Sequence, residues 1–425
     1  MTPAGWAAKR LVDKGCDSRR WRSMIETDMA SEKSILSELG WDRRYDVARV
    51  EDVMTPALVL YPAIIAANIE RTLELLAGKG DRWRVHIKTA KLGYTLRLLV
   101  ARGVRNFKCA TTLELLVACQ SGATDVLYAY PAMGANARRA GEIAEEFPDV
   151  RISVLAESEE QVQQWRGSRV GIFLDINPGM NRTGIEQSRS DRVIALARTM
   201  ADARLEFRGL HYYDGQFGSL ADGERTRGAH RGYDRLLEIV SELERSGVRV
   251  PEVITAGTPT FPCSLSYGGF RGRNFVHRVS PGTIVYCDAT CLQQLPAEYG
   301  YGAAALVLTR VVSRPGAGMV TCDAGHKAVS ADAGVPTCVV AGHPELTPLS
   351  PSEEHLPMAV ADGAAGPEIG DFLYLVPRHV CPTVNNFDWA LVVRDGNIEA
   401  VERVSARGRE APLLHGVVSV RGIRP

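Results

Sequence analysis

The sequence has no net charge and no long apolar segment. Its 50 lysines and arginines balance 50 aspartates and glutamates, whereas a protein that binds nucleic acid usually carries a basic excess. No uninterrupted apolar run reaches the ~18 residues that are needed to cross a bilayer. We therefore expect no nucleic-acid partner and no membrane-spanning segment, although a neutral protein can still contain a charged pocket for a small substrate.

The cysteines also lack the spacing of a disulfide framework or a metal ribbon. The chain has nine cysteines, an odd number, and no two of them form a Cys-x-x-Cys pair. Residues 1–22 mix basic and acidic side chains and contain no apolar stretch of the kind found in secretory signals. This pattern favours a reduced, cytoplasmic setting.

Strand-like and helical segments alternate through the first two thirds of the chain. Such alternation implies parallel strands joined by right-handed crossovers, and eight strands fit a (β/α)8 TIM barrel better than an open sheet. The predicted strands are 84–87, 106–109, 125–129, 151–155, 171–176, 206–212, 253–256 and 284–286. The predicted helices include 64–79, 92–102, 112–120, 136–146, 159–166, 190–200 and 224–246.

The sequence changes character after about residue 290. Short β-rich runs separated by glycine and proline replace the helical patterns, which predicts a C-terminal antiparallel β domain. The apolar segment 55–61 could pair with this domain. The chain thus divides into an N-terminal extension (1–50), a barrel (51–290) and the β domain (291–425).

Lys88 is the first candidate for chemistry, because it follows the first predicted barrel strand. Reactive groups of such barrels lie at the carboxyl ends of the strands. A lysine that is desolvated there loses its proton more easily and can form a Schiff base with an aldehyde. For an isolated lysine a solvated surface position is far more common, so the other strand ends must support the assignment.

Several of these strand ends carry polar loops. Gly257 and Thr258, after the strand 253–256, offer backbone N–H groups and a hydroxyl that suit a phosphate, which barrel enzymes often bind in late loops. Gly282 and Thr283, just before the strand 284–286, could supply a second set. Each loop taken alone is equally compatible with an ordinary turn. The candidates are Arg182, Tyr213, Gly257, Thr258, Gly282 and Thr283.

In the β domain, His379 and Cys381 form the short sequence pattern that most clearly indicates chemistry. On an extended segment, residues two apart face the same side. Imidazole and thiolate together suit Zn²⁺, and two protein ligands leave positions open for water or substrate. The alternative is a buried cysteine beside a hydrogen-bonded histidine. Glu353, Glu354 and His355 either lie close to this pair or form a solvated loop.

Taken together, these motifs resemble those of a known family. The segment from Arg84 to Lys91 is similar to the R-P-H-x-K-T-H-K stretch of the D-serine dehydratase and D-threonine aldolase family. These are fold-type III pyridoxal-phosphate (PLP) enzymes with an alanine racemase-like barrel. Segments similar to the G-x-N-R-x-G, G-S-T-P-T, P-G, D-x-G-x-K-x-x-S, E-E-H and H-x-C-P-T-x-N motifs follow in order, at 179–184, 257–260, 281–282, 323–330, 353–355 and 379–385.

The resemblance implies a role for each candidate. Lys88 would bind PLP covalently, while Arg182 and Tyr213 would flank its ring. The family's head-to-tail homodimer is expected as well, and the sequence does not decide whether the metal ligands serve their own active site or that of the partner subunit. The remaining implied residues are Gly257, Thr258, Gly282 and Thr283 for the phosphate, and His379 and Cys381 for Zn²⁺ or another divalent cation.

The sequence departs from the family pattern near the expected site. Ala90 stands where the lysine motif has its second histidine, and Val85 where it has proline. Ser280 occupies a position that is often charged in the family, and Ile284 one that is tyrosine in many relatives. The cofactor assignment does not depend on these positions, whereas the choice of substrate does.

The family acts on D-β-hydroxy amino acids, which implies a lyase. In this family the metal pair resembles His-x-Cys in dehydratases and His-x-Asp in aldolases. The resemblance of Cys381 to the first therefore favours β-elimination to a keto acid and ammonia. Retro-aldol cleavage to glycine and an aldehyde is the alternative. Amino-acid racemisation, which needs a second base, and a non-catalytic cofactor carrier are the other two possibilities.

Overall fold

The computed structural model describes residues 39–413. Most of the predicted N-terminal extension, 1–50, therefore lies outside the described residues. Its described end packs on the C-terminal half of the chain, where the ring centroids of Trp41 and Tyr374 are 5.1 Å apart. The Tyr45 hydroxyl donates a hydrogen bond to the carbonyl of Ala303.

Eight parallel strands form a nearly closed barrel. Neighbouring strands pair in parallel, and a bridge between Trp83 and Val279 joins the first strand to the last. The predicted barrel is thereby confirmed. After β1 (Ala57–Leu60), which lies outside it, the strands are β2 (Arg84–His86), β3 (Asn106–Cys109), β4 (Asp125–Tyr128), β5 (Arg151–Ala156), β6 (Gly171–Asn177) with the short β7 (Ile185–Glu186) beside it, β8 (Phe207–Tyr212), β9 (Glu252–Thr255) and β10 (Val276–Val279).

Helices connect the strands, and side-chain caps help to fix where they begin. Thr111 accepts a hydrogen bond from the backbone N–H of Glu114, and Glu114 accepts one from the N–H of Ala110, one residue before the position used in a capping box. No helix within residues 39–413 is both long and apolar enough to span a membrane. The helices are α1 (Pro62–Leu75), α2 (Gly93–Ala101), α3 (Thr112–Gln120), α4 (Gly134–Glu146), α5 (Glu159–Gln163), α6 (Ser190–Asp202), α7 (Asp222–Arg245), α8 (Phe261–Ser266), α9 (Ala289–Gln294) and α10 (Val380–Val384).

The barrel interior is layered, because alternate residues of each strand point inward. At the amino ends of the strands, Asp125 pairs with Arg84 at 2.8 Å and with Arg208 at 2.6 Å, and Arg84 also pairs with Glu252 at 2.9 Å. Above these ion pairs lies a small apolar layer formed by Leu127, Leu155, Phe173 and Ile254. The third layer, at the carboxyl ends, is polar and forms the candidate site.

A second, mainly antiparallel sheet follows the barrel, as predicted. β1 runs between β11 and β17, antiparallel to the former and parallel to the latter, so the expected pairing of segment 55–61 is confirmed. This strand thus joins the β sheet although it lies within the proposed barrel segment 51–290. The sheet contains β11 (Ala305–Gly316), β12 (Met319–Cys322), β13 (Cys338–Val340), β14 (Leu346–Pro348), β15 (Leu356–Val360), β16 (Phe372–Pro377), β17 (Trp389–Arg394) and β18 (Asn397–Arg403).

One predicted barrel strand is wrong. Residues 284–286 belong to a buried 3-10 turn, Thr283–Val285, and its continuation, not to a strand, and the eighth barrel strand is β10. The apolar run is buried because the turn packs against α1, where the Asn68 side-chain amide donates to the Val285 carbonyl at 3.2 Å. In addition, α1 and α5 end earlier than predicted, and β14 and β15 were not predicted.

Candidate active site

A cavity of about 460 Å³ lies at the carboxyl ends of the barrel strands. Three of the predicted residues meet there around one aromatic ring. The Tyr213 ring centroid lies 4.9 Å from the Arg182 guanidinium carbon and 6.0 Å from the Lys88 Nζ. Lys88 reaches this position from the turn after β2, and Arg182 from the glycine-rich loop after β6. The structure therefore brings Lys88, Arg182 and Tyr213 together.

A chain of hydrogen bonds that the sequence analysis missed forms one wall of this cavity. The Lys108 Nζ lies 3.2 Å from the His211 Nε2, and the His211 Nδ1 lies 2.7 Å from an Asp175 carboxylate oxygen. The other oxygen of Asp175 accepts from the Thr183 hydroxyl at 2.7 Å. The signal available in the sequence was a lysine between apolar residues in a barrel strand, because Lys108 lies between Phe107 and Cys109 in β3.

The electrostatics of the cavity favour neutral histidines. Burial and the charges of Lys88 and Lys108 hold the pKa of His86 well below its usual range. Burial, followed by the charge of Lys108, likewise lowers the pKa of His211. A neutral His211 that donates from Nδ1 to Asp175 presents Nε2 as an acceptor, so Lys108 is the donor in that contact.

The proposed phosphate residues lie beside this cavity, on two turns that pack closely against its wall. A Cβ at Gly257 would lie 2.7 Å from the Tyr213 ring, and one at Gly282 would lie 2.2 Å from the His86 carbonyl oxygen. Gly282 therefore requires glycine, because backbone atoms fill the space of a side chain there, whereas a side chain at Gly257 would have to displace the Tyr213 ring. Thr258 and Thr283 line a neighbouring cavity of about 190 Å³.

The Gly257 turn is held through Thr260 by the buried carboxylate of Asp214. Asp214 accepts hydrogen bonds from the Thr260 and Tyr233 hydroxyls at 2.5 and 2.6 Å, and the Thr260 hydroxyl oxygen accepts one from the Gly257 N–H at 3.2 Å. Burial raises the pKa of Asp214 even though these hydrogen bonds oppose the shift. The turn is thus held in place before any ligand binds.

His379 and Cys381 lie at the start of α10 and not on an extended segment, so the geometric reason for pairing them was wrong. The two side chains nevertheless lie close enough for each to shift the pKa of the other. The His379 Nδ1 also lies 2.6 Å from an Asp332 carboxylate oxygen. Although burial favours the neutral ring, the interactions with Cys381 and Asp332 raise the pKa of His379 to about 9. Burial opposes ionisation of Cys381, yet His379 lowers the pKa of its thiol.

Contacts of Cys381 tie this pair to the barrel of the same chain. Its Sγ lies 2.9 Å from the Thr89 hydroxyl, next to Lys88, and 3.7 Å from the Thr283 hydroxyl. The backbone N–H of Val380 donates to Asp288 at 2.9 Å. The pair therefore lies beside the Lys88 of its own chain.

The donor chemistry of the pair fits a divalent metal such as Zn²⁺. A thiolate and an imidazole are typical Zn²⁺ ligands, and a carboxylate on the other ring nitrogen is a common outer partner. No group of three or more potential ligands occurs among residues 39–413, so open positions would be left for water or substrate. Glu353 and Glu354 do not belong to the site, because they are exposed and pair with Lys327 at 2.7 and 3.1 Å.

Comparison with known proteins agrees with this architecture. The model described as "Alanine racemase, N-terminal domain" matches residues 62–290, and "Putative serine dehydratase domain" matches 304–393. The fold and site thus define an alanine racemase-like barrel enzyme with a dehydratase-type β domain. The chain belongs to the D-serine dehydratase and D-threonine aldolase family, whose members are PLP-dependent fold-type III enzymes. It is a PLP-dependent lyase, as predicted.

Individual relatives span nearly the whole chain. This chain is 28% identical to a D-threonine aldolase from Arthrobacter sp. over 373 residues. The alignment covers 85% of this chain and 94% of the aldolase. Over 375 residues this chain is 24% identical to the D-threo-3-hydroxyaspartate dehydratase of Delftia sp., with coverage of 82% and 97%. The crystal structure of D-threonine aldolase from Filomicrobium marinum has a TM-score of 0.76 and 27% identity, covering 85% and 97% of the two chains.

Proposed function

We propose that this protein is a PLP- and metal-dependent lyase that acts on D-β-hydroxy amino acids, with β-elimination as its main reaction. The products would be a keto acid and ammonia. The observation that carries the proposal is the cysteine of the His379–Cys381 pair, which lies within hydrogen-bonding distance of Thr89, next to Lys88. This arrangement puts a metal-binding pair beside the lysine that is expected to react.

The cofactor residues fit PLP in chemical type and position. Lys88 would form the covalent link, and Arg182 and Tyr213 would contact the ring. PLP supplies, when bound, a sink for the electron pair left at the substrate α-carbon. The phosphate would bind to the two turns that carry Gly257, Thr258, Gly282 and Thr283.

Side chains of the protein transfer the proton and orient the groups that bind the substrate. The Lys88 Nζ takes the α-proton of the bound substrate. His379 and Cys381 would hold Zn²⁺ or another divalent ion, a Lewis acid suited to the β-hydroxyl group. Asp332 keeps the His379 ring oriented through Nδ1, and Asp288 holds the Val380 N–H, which fixes the start of α10.

Retro-aldol cleavage is the second candidate. It is supported by the 28% identity with the Arthrobacter D-threonine aldolase over most of both chains. The same metal pair would serve it, since a metal ion lowers the pKa of a bound hydroxyl group. In that reaction the β-hydroxyl proton is removed, and the bond between the α- and β-carbons breaks.

Product analysis separates the two reactions. The purified holoenzyme is incubated with D-serine, D-threonine and 3-hydroxy-D-aspartate, and ammonia, keto acid and aldehyde are assayed separately. β-Elimination predicts ammonia and keto acid in equal amounts, and loss of both after treatment with EDTA. Glycine and aldehyde without ammonia would reverse the order of the two candidates. Formation of the L-enantiomer of the substrate, unaffected by EDTA and without ammonia or aldehyde, would favour racemase chemistry.

The oligomeric and cellular setting stay part of the proposal. We propose a head-to-tail homodimer and a cytoplasmic location, which agree with the family resemblance and the unpaired cysteines. Each of the eight cysteines within residues 39–413 is a buried free thiol. Light scattering coupled to size-exclusion chromatography tests the dimer, and a monomeric mass with full activity would reject it.

A further inference from the structure

Lys108 differs from three other buried cations of the barrel in its partner. Arg84 and Arg208 pair with carboxylates in the layer described above, and Lys91 pairs with Glu114 at 2.7 Å. Lys108 is only 2% exposed, yet within residues 39–413 its Nζ contacts the His211 ring and no carboxylate at ion-pair distance. Burial of a cation without a counter-charge lowers the stability of the folded protein. A role in binding a ligand would explain why a lysine occupies this position.

The Lys108 ammonium group is held in one direction. Asp175 fixes His211, and the Thr183 hydroxyl fixes Asp175. The Nζ is thereby presented to the cavity that contains Lys88 and lies 5.6 Å from the Tyr213 ring centroid. A flexible surface lysine has no such support, whereas a group that must meet a ligand needs it.

The charges of the cavity leave room for two anionic groups besides the phosphate. Within the described chain its wall carries three cationic side chains, Lys88, Arg182 and Lys108, and one carboxylate, Asp175, which is engaged by His211 and Thr183. Lys88 is reserved for the covalent link to the cofactor and for transfer of the α-proton. Two cations then remain, enough for one carboxylate each.

We propose that Lys108 is a specificity-determining residue that binds the side-chain carboxylate of a dicarboxylic D-β-hydroxy amino acid, the class to which 3-hydroxy-D-aspartate belongs. The proposal rests on the proposed function, and it leaves Arg182, at the edge of the cofactor ring, as the cation nearest to the α-carboxylate. It predicts a preference for substrates with an acidic side chain over D-serine and D-threonine, whose side chains carry no charge for Lys108 to meet.

The protonation state of Lys108 gives this preference a pH dependence. Burial, followed by the charge of Lys88, lowers the pKa of Lys108 to about 7. A carboxylate binds the protonated amine, so the preference for an acidic side chain should weaken as the pH rises through the range in which Lys108 loses its proton. The charged or titratable groups that face Lys108 are Lys88, Asp175, Arg182, Arg84, His86 and His211.

Spectral titration of the holoenzyme tests the proposal without turnover. D-Aspartate and D-alanine both lack a β-hydroxyl group, and their binding is followed through the visible absorption of the bound cofactor. We expect the wild type to bind D-aspartate more tightly than D-alanine. Lys108→Met should reduce the ratio of the two affinities by about tenfold or more, since a charge-assisted hydrogen bond is lost.

Three further variants make the result specific. Lys108→Arg keeps the charge and should retain part of the preference, including at a pH where the wild type has lost it. Lys79→Met, which removes an exposed lysine, is the matched control and should leave the ratio unchanged. If Lys108→Met fails to retain the cofactor, Lys108→Gln provides the same comparison.

The outcomes separate this proposal from the proposed function. An unchanged ratio in a Lys108 variant that retains the visible band overturns the proposal alone. A displaced band, or a displaced pH midpoint of the band, with an unchanged ratio would assign Lys108 to the cofactor instead and overturn it equally. A wild-type absorption that neither amino acid perturbs would overturn the proposed function and this proposal with it.

Discussion

The Cys381 thiol lies 2.9 Å from the hydroxyl of Thr89, the residue that follows Lys88. This contact joins the β domain to the end of the first barrel strand, where the proposed cofactor link would form. Cys381, a proposed metal ligand, thus lies next to Lys88, the proposed cofactor lysine, so a substitution at either residue should affect the other.

Removal of this hydroxyl should weaken metal binding. Thr89→Val keeps the shape of the side chain but leaves Cys381 only the more distant Thr283 hydroxyl, and loss of an outer partner typically costs about 10- to 100-fold in metal affinity. Competition with a chromogenic chelator measures the change. Thr89→Ser, which keeps the hydroxyl, should bind metal like the wild type, and equal affinities in the Val and Ser variants would contradict the assignment.

The carboxylate behind His379 provides an independent test. Asp332→Asn removes the charge that lies 2.6 Å from the Nδ1 and should lower metal affinity by about tenfold or more. Glu345→Gln is a matched control, because Glu345 pairs with His343 at 2.8 Å away from the site. We expect metal content by mass spectrometry to fall in the first variant only; a parallel fall in the control would show a general effect.

The ion pairs at the base of the barrel should dominate its acid stability. Although burial opposes ionisation, Arg84 and Arg208 lower the pKa of Asp125 below its ordinary value. Its stabilisation is therefore complete at neutral pH and is lost as the pH falls below about 4. Asp125→Asn leaves both arginines less compensated and should cost about 3–5 kcal/mol at pH 7.

Urea unfolding between pH 3 and pH 7 measures both effects. The wild type should lose stability more steeply than Asp125→Asn as the pH falls below 4. Glu70→Gln, which breaks an exposed pair with Arg102, should change stability by less than about 1 kcal/mol. Parallel pH curves for wild type and Asp125→Asn would show that Asp125 does not contribute through its charge.

One glycine should be indispensable to the barrel. A Cβ at Gly209 would lie 1.9 Å from the Glu252 carbonyl oxygen, and the residue has a φ of +131°. Gly209→Ala should therefore destabilise the protein by more than about 3 kcal/mol or prevent folding. Gly141 in α4 has no atom within 4 Å of its would-be Cβ, so Gly141→Ala should stabilise the protein by about 0.5–1 kcal/mol. Thermal unfolding measures both.

Sequence patterns predicted the barrel well where apolar strands were flanked by clear turns. β3 and α3 coincide with the predicted segments 106–109 and 112–120. The eighth strand failed because β10 contains His277 and Arg278, whereas the more apolar run at 284–286 packs as a turn. Local hydrophobicity cannot distinguish a strand from any other buried segment.

The candidate site was predictable only to the extent that its residues occur in motifs. Lys88, Arg182 and Tyr213 stand at strand ends and meet in one cavity. Lys108 was missed, because its significance comes from contact with His211, more than one hundred positions away in the sequence. That contact depends on barrel closure, which brings distant strands together and which no local pattern contains.

The position of β1 has a consequence for dissection of the protein. Its four residues supply hydrogen bonds to both β11 and β17, so a fragment that starts at residue 291 would lack an internal strand of its own sheet. The two unsatisfied edges would then be available to another chain. Recombinant truncation at the apparent boundary should yield insoluble material, and separate expression of the halves is a poor route to either one.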